Sequence, residues 1–385
     1  MKFNPNVMDC ASAPIAEAWS WVSNPDSARL IDMCQAVPAH LPPQNLRDYL
    51  GEAIKAGEGA TYTDIRGIEP LREALATNIS ERYQGSVTGD DILITAGCNQ
   101  AFCSVVDALC AEGDEILVPL PCYFNHQMWL STRGVTPRYL SFNPETAMPD
   151  PDEARQLINS RTRAILLVTP NNPSGAIYSH DCIDAFFELA REHDLALIVD
   201  ETYRDFIDID TLPHSLFARP DWRDTFVHLY SFSKVFSLTG FRTGAVAAGQ
   251  PLLEQLKKIQ DCTAICAPHA GQLAAVYGLE NLHDWKLEKS NELAARAVAI
   301  KQAFEHPDLR YRLVSAGAYF AYVEHPFDAP ARDVVKRLIE EQEIVCLPGS
   351  YFGQDQEKFV RLAFANVHEK HFEDVIGRLI ASQKS

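Results

Sequence analysis

The chain has 385 residues, 46% of them hydrophobic and 22% charged, which excludes a disordered chain and favours two globular units over one. Asp and Glu number 52 against 34 Lys and Arg, and the net charge of -18 opposes binding to nucleic acid or to an anionic membrane. No apolar run approaches the roughly 18 residues of a membrane span, and "MKFNPNVMDCASAPIAEAW" lacks a signal-peptide core, so a cytoplasmic protein is expected.

The first 40 or so residues have neither a clear periodic helix nor a sheet of their own and are expected to drape over one or both domains, as an arm and as part of a small domain (1–40). From about residue 90 short apolar runs alternate with longer amphipathic ones: "DILITAG", "NQAFCSVVDALCAEG", "EILVPLP", "RAILLVTP", "CIDAFFELAREHD", "LALIVDE" and "TFVHLYSFSK". Strands separated by helices predict an α/β fold, a mostly parallel sheet with helices on both faces, in a large domain over 41–275. After about residue 275 comes a long helical stretch, "LHDWKLEKSNELAARAVAIKQAFEH". The strand candidates "GAYFAYVE", "EIVCLPGS" and "FVRLAFA" and a helical tail come next, so 276–385 reads as a smaller α+β C-terminal domain. The ten cysteines are scattered without a CxxC pair, and no HExxH helix is present, so reduced, separately packed thiols and no metal are expected.

Parallel sheets bind ligands beyond the carboxyl ends of their strands. In this chain every such end is polar, aromatic or turn-forming: "AGCNQ", "PCYFNH", "PNNPSG", "DETY" and "SFSK". Lys234 stands just past the run "TFVHLY", where it is either a lysine snorkelling over apolar packing or a functional amine. Asn172 sits in a turn with Pro173 and Gly175, which explains it structurally unless a ligand uses the amide. Asp200 ends the run "LALIV", and a carboxylate buried there needs a cationic or protonated partner; Tyr203 brings a phenol to the same end. Gly97 and the amides of Cys98 and Asn99 open a helix, whose free N–H groups and dipole favour an anion. Arg242 and the hydroxyls of Ser231 and Ser233 complete a phosphate cup. A phosphate cup, a buried acid, an amide, a phenol, an aromatic platform in "CYF" and one primary amine together suit a phosphorylated heteroaromatic aldehyde with a ring nitrogen to protonate, namely pyridoxal phosphate.

These motifs, in this order and with 28, 34 and 8 residues separating Asn172, Asp200, Lys234 and Arg242, resemble the class I/II aminotransferases of the fold type I pyridoxal-phosphate enzymes. The resemblance runs from "YTDIRGIEPLREALA" to "FVRLAFAN". It implies transfer of an amino group between an L-amino acid and a 2-oxo acid. It implies Lys234 as the Schiff-base lysine and proton-transferring base, with Asp200 holding the pyridinium nitrogen protonated. Tyr203 and Asn172 would hydrogen-bond the cofactor's phenolate oxygen, Tyr123 would stack on the ring, and His126 would support Asp200 or simply pack. The phosphate would rest on Gly97, Cys98, Asn99, Ser231, Ser233 and Arg242. Tyr62 would reach the neighbouring subunit's phosphate in a homodimer with shared sites, and Arg361 would clamp the substrate carboxylate. In "CQAVPAH" Ala36 and Val37 replace the Gly and Glu of many relatives, so the substrate contact implied at Ala36 is a departure. Another is Cys98, where glycine or serine is usual.

A lyase or decarboxylase on the same fold begins from the same chemistry, and a non-catalytic ligand-binding regulator would keep the fold. A nicotinamide dehydrogenase would need a GxGxxG after its first strand, and none is present. No second arginine is marked as a distal clamp, and Phe124, Tyr319 and Phe320 suggest a pocket for a neutral or aromatic side chain, with Tyr319 as readily a core residue.

Overall fold

The computed structural model describes residues 1–209 and 211–384. Its first strand, β1 (Ile31–Asp32), belongs to the smaller of two packing units, and the larger is built on seven strands. These are β2 (Ile92–Thr95), β3 (Glu115–Pro119), β4 (Thr136–Leu140), β5 (Thr162–Val168), β6 (Ala196–Asp200), β7 (Phe226–Ser231) and β8 (Gly244–Ala247). Their order is β2-β8-β7-β6-β5-β3-β4, parallel from β7 to β4, with β8 antiparallel to both β2 and β7.

Side chains alternate between the two faces of a strand. Ile165 and Leu167, Leu197 and Val199, Phe226 and Tyr230 join one core; Ala164 and Leu166, Ile198, Val227 and Leu229 join the other. With both faces covered, the central strands read as unbroken apolar runs. The covering helices show the complementary stripe: Ile183, Phe186, Phe187 and Ala190 are buried on helix His180–Glu192, whose first turn is capped by Ser179 Oγ accepting the Cys182 N–H at 3.2 Å.

The smaller unit contains β9 (Arg312–Gly317), β10 (Phe320–Glu324), β11 (Ile344–Val345), β12 (Leu347–Pro348) and β13 (Phe359–Ala363), with an antiparallel sheet in the order β12-β13-β10-β9. β1 pairs in parallel with β11, and Met33 is held on both sides: its N–H donates to Val345 O and its carbonyl accepts from Ala363 N, both at 2.8 Å. The amino-terminal segment is thereby stitched into the unit formed by the other end of the chain. Helix His269–Asn281 packs on helices Gln44–Lys55 and Glu69–Arg82, whereas helix His283–Ala303 packs on β9 and on helix Phe372–Ser382.

The two units meet where the turn after β5 touches the β9–β10 hairpin. A Cβ on Gly175, which has φ +72°, would lie 2.6 Å from Gly317 N, and a Cβ on Gly317 would lie 2.4 Å from Gly175 O. Only glycines permit this approach of one backbone to another. Ser315 Oγ donates to Ser174 O at 2.6 Å across the same junction.

Candidate active site

A cleft of about 540 Å³ lies beyond the carboxyl ends of β5, β6 and β7, between the two sheets. The large sheet supplies Asn172, Asp200, Thr202, Tyr203, Ser231, Ser233 and Lys234; the small unit adds Arg361 from β13 and the segment Gln35, Ala36 and Val37.

At the acid end, Asp200 is 5% exposed and lies 3.3 Å from His126 Nε2. The Thr202 N–H donates to Asp200 Oδ1 at 3.0 Å. Burial alone would raise the carboxyl's pKa, but the hydrogen bond and charge of His126, with the Thr202 donors, hold it below the ordinary value, so the carboxylate is ionised. His126 packs its ring 4.2 Å from Phe102 and edge-on to Tyr123 at 5.2 Å. Asn125 Nδ2 in turn donates to the Tyr123 hydroxyl at 2.9 Å.

Gly97, with φ +88°, precedes helix Cys98–Leu109, and a Cβ there would lie 2.4 Å from Arg242 Nη2. The guanidinium occupies the space a side chain would take. Arg242 itself is left-handed (φ 53°, ψ 64°), which is uncommon for a residue other than glycine, and its Nη1 donates to Thr239 O at 2.9 Å. Ser231 Oγ accepts the Ser233 N–H at 3.2 Å, leaving its own O–H free to donate elsewhere. The start of helix Cys98–Leu109, two hydroxyls and a guanidinium line one cleft, a donor set suited to a phosphate.

Lys234 lines the same cleft. Its Nζ donates to Ala36 O and lies 5.8 Å from the Tyr319 ring centroid. Burial, then the charges of Arg361 and Arg242, push its ammonium down to about 8. An amine that loses its proton so readily is poised to act as a nucleophile and as a base near neutral pH.

Arg361 is 2% exposed. It donates from Nη1 to Asn172 Oδ1 at 3.1 Å and from Nη2 to Cys34 O, with Phe320 and Phe352 rings each 5.1 Å from its carbon centre. Its Nε is buried without a protein partner. A guanidinium enclosed like this, with donor capacity unused, is suited to a carboxylate.

Of the residues singled out in the sequence, Ala36, Cys98, Asn99, Tyr123, Asn172, Asp200, Tyr203, Ser231, Ser233, Lys234, Arg242 and Arg361 line the cleft. Gly97 sits behind Arg242, and Tyr62 is 75% exposed, outside the cleft. Among the aromatic candidates Phe124 lines the cleft, whereas Tyr319 and Phe320 are buried in the small unit's core. Thr202, Asn125, Gln35 and Ile15 also line the cleft, although the sequence does not single them out. Thr202, Asn125 and Gln35 stand inside the quoted motifs "DETY", "PCYFNH" and "CQAVPAH"; Ile15 carries no local signal. All ten cysteines are free, and the Cys98 thiol is driven well up by burial and by the Asp200 charge. Among the described residues no helix is long and apolar enough to cross a membrane.

A half-buried amine in one cleft with a phosphate-suited donor set and a carboxylate-suited guanidinium, at the strand ends of a doubly covered sheet, is an arrangement suited to chemistry on amino acids. A family profile described as "Aminotransferase class I and II" matches residues 28–379. The chain is 28% identical to an aspartate aminotransferase of Thermotoga maritima over 89% of this chain and 88% of that one. It is 29% identical to an aromatic aminotransferase of Arabidopsis thaliana, covering 95% and 92% respectively. The fold matches the aspartate aminotransferase of Thermus thermophilus with maleate at a TM-score of 0.88 and 22% identity, covering 99% and 100% of the two chains. It matches YbdL of Escherichia coli at 0.89 and 23% identity, with the same coverage. The chain belongs to the class I and II aminotransferases, with their fold type I architecture. Its reaction is amino-group transfer, and the lyase, decarboxylase and non-catalytic readings are not favoured.

Proposed function

We propose that the protein moves an amino group between an L-amino acid with a neutral or aromatic side chain and a 2-oxo acid, using pyridoxal 5'-phosphate held in this cleft. The observation that carries the reading is Lys234: a half-buried amine with its pKa pushed down to about 8, within reach of the charges of Arg361 and Arg242 and in one cleft with Asp200. Bound there, pyridoxal phosphate supplies an aldehyde for an amine and a protonated ring that withdraws electrons from the substrate α-carbon. Gly97, Cys98, Asn99, Ser231, Ser233 and Arg242 would hold the phosphate. Asp200, kept ionised by His126, would keep the ring nitrogen protonated, and Tyr123 would pack on the ring. Tyr203 and Asn172 would donate to the ring oxygen, while Asn172 also accepts from Arg361. Arg361 would grip the substrate carboxylate, and the Lys234 amine would carry the proton to and from the substrate α-carbon. Ile15, Val37 and Phe124 give the cleft an apolar wall for the substrate side chain.

Borohydride treatment of the holoenzyme tests the central assignment. The visible band is expected to disappear and a phosphopyridoxyl group to remain on the peptide carrying Lys234; an adduct on any other lysine rejects the reading. Since the amine must be neutral to capture the aldehyde, the capture rate in the apoenzyme should climb about tenfold per pH unit below about 8 and level off above it.

The protein is further proposed to be a cytoplasmic homodimer in which the exposed Tyr62 completes the phosphate cup of a second copy. Ten free cysteines suit a reducing compartment. The unit boundary is proposed at Leu282, between helices His269–Asn281 and His283–Ala303, with the segment around β1 assigned to the smaller unit. Mixing a Tyr62→Phe variant with a Lys234→Ala variant should restore activity in hybrid dimers, where one site keeps both native residues. Subunit exchange without recovery refutes the shared site.

A further inference from the structure

Asp200 and Tyr203 face the cleft, but Glu201, Arg204 and Asp205, from the same short segment, enter a buried polar cluster. Glu201 and Arg204 are each 1% exposed. Glu201 Oε2 accepts the Tyr83 hydroxyl at 2.6 Å and lies 3.1 Å from His214 Nε2 and 3.0 Å from His228 Nε2. His214 Nδ1 accepts the Leu216 N–H at 3.2 Å, which assigns the ring proton to the nitrogen facing Glu201. The Arg204 guanidinium stacks 3.9 Å from the Tyr230 ring centroid and donates to Asn78 Oδ1 at 2.6 Å. Asp205 accepts the Tyr230 hydroxyl at 2.7 Å and lies 3.4 Å from Lys286 Nζ, on helix His283–Ala303. The cluster thus sets two carboxylates, Glu201 and Asp205, against two cations, Arg204 and Lys286.

Backbone bonds tie the segment together: Glu201 N donates to Leu229 O at 2.9 Å, Arg204 N to Glu201 O at 3.1 Å and Phe206 N to Tyr203 O at 3.0 Å. On the cleft side, by contrast, Tyr203 is bounded by the Tyr319 and Phe320 rings, each 5.2 Å away, which fill space without fixing direction. Charge-assisted bonds on one side of a short segment set its backbone and hence the aim of the side chains on the other. We propose that Glu201 and Arg204 are positioning residues, holding Asp200 and Tyr203 at the angles the cofactor ring requires. The inference rests on the reading that those two residues contact the ring.

Glu201→Gln puts an amide where the carboxylate accepts from several donors and leaves Arg204 and Lys286 facing one carboxylate instead of two. Tyr83→Phe removes one donor and no charge. In Glu201→Gln, affinity for pyridoxal phosphate should weaken about tenfold and kcat fall about tenfold, while KM for the amino acid stays within about twofold because Arg361 is untouched. The pH midpoint of the bound cofactor's visible band should shift by about one unit, and Tyr83→Phe should shift it the same way by less. A lower melting temperature with unchanged midpoint, affinity and kcat would reduce the cluster to fold support and overturn the proposal. If Glu201→Gln fails to fold, the Tyr83→Phe midpoint decides. Asp200→Asn separates the two levels: if it leaves the band and affinity unchanged, the ring-contact reading itself fails. If it moves them while Glu201→Gln and Tyr83→Phe do not, only the positioning role fails.

Discussion

Lys234→Ala slows amino-group transfer by ~10³-fold or more, because a positioned general base contributes about 10²–10⁴ and this cleft offers no second amine. The loss belongs in kcat. Arg361, Asp200 and the phosphate cup are all retained, so the variant should still bind pyridoxal phosphate and should still bind amino acid. Ala36 loses the donor to its carbonyl, but that group faces the cleft and can take a water instead. Single-turnover measurement of α-proton loss, with an isotopically labelled amino acid, reads the step directly. A labelled proton that leaves at the wild-type rate means another group is the base.

Arg361→Lys lowers kcat/KM for amino acids by roughly 10–100-fold, corresponding to about 1.5–3 kcal/mol for a charged hydrogen bond lost. A guanidinium can hold a carboxylate through two parallel bonds while its remaining N–H groups reach Asn172 and Cys34 O; an ammonium offers three donors from a single point. Primary amines without a carboxylate should be nearly unaffected, and cofactor affinity should hold. Equal losses for amines and amino acids would return Arg361 to a packing role between Phe320 and Phe352.

How much of the site is legible in the sequence depends on distance along the chain. Asp200, Lys234 and Asn172 each interrupt a strand-and-turn pattern locally, so residue type and place are enough to mark them. The central strands are legible for the same reason, being apolar on both faces. The edge strand β4 gives no such signal, because "TPRYL" exposes alternate residues and carries a proline, which suits only an edge. β8, a four-residue "GAVA", is too short and small to announce itself. Gln35 lines the cleft beside β1, which pairs with β11 more than 300 residues away, and Ile15 lines it from helix Pro14–Ser20, which packs on β12; no local pattern records either contact. Residue type alone suggests Phe320 for the pocket, but it lies in the small unit's core beneath the Arg361 guanidinium. The Glu201 cluster is invisible for a related reason. Its members come from five separate segments, holding Tyr83, Glu201 with Arg204, His214, His228 and Lys286, and look like ordinary polar residues until folding brings them together.

The glycine-to-glycine contact between the turn after β5 and the β9–β10 hairpin leaves no side chain to act as a cushion between the two sheets. The junction sits within three residues of Asn172, whose Oδ1 accepts from Arg361 Nη1 at 3.1 Å. Cys122 N donating to Phe352 O at 2.8 Å ties the same two units at a second point. The small unit's guanidinium is thus referenced directly to a turn of the large unit, and that turn is itself seated on the small unit's hairpin, backbone against backbone.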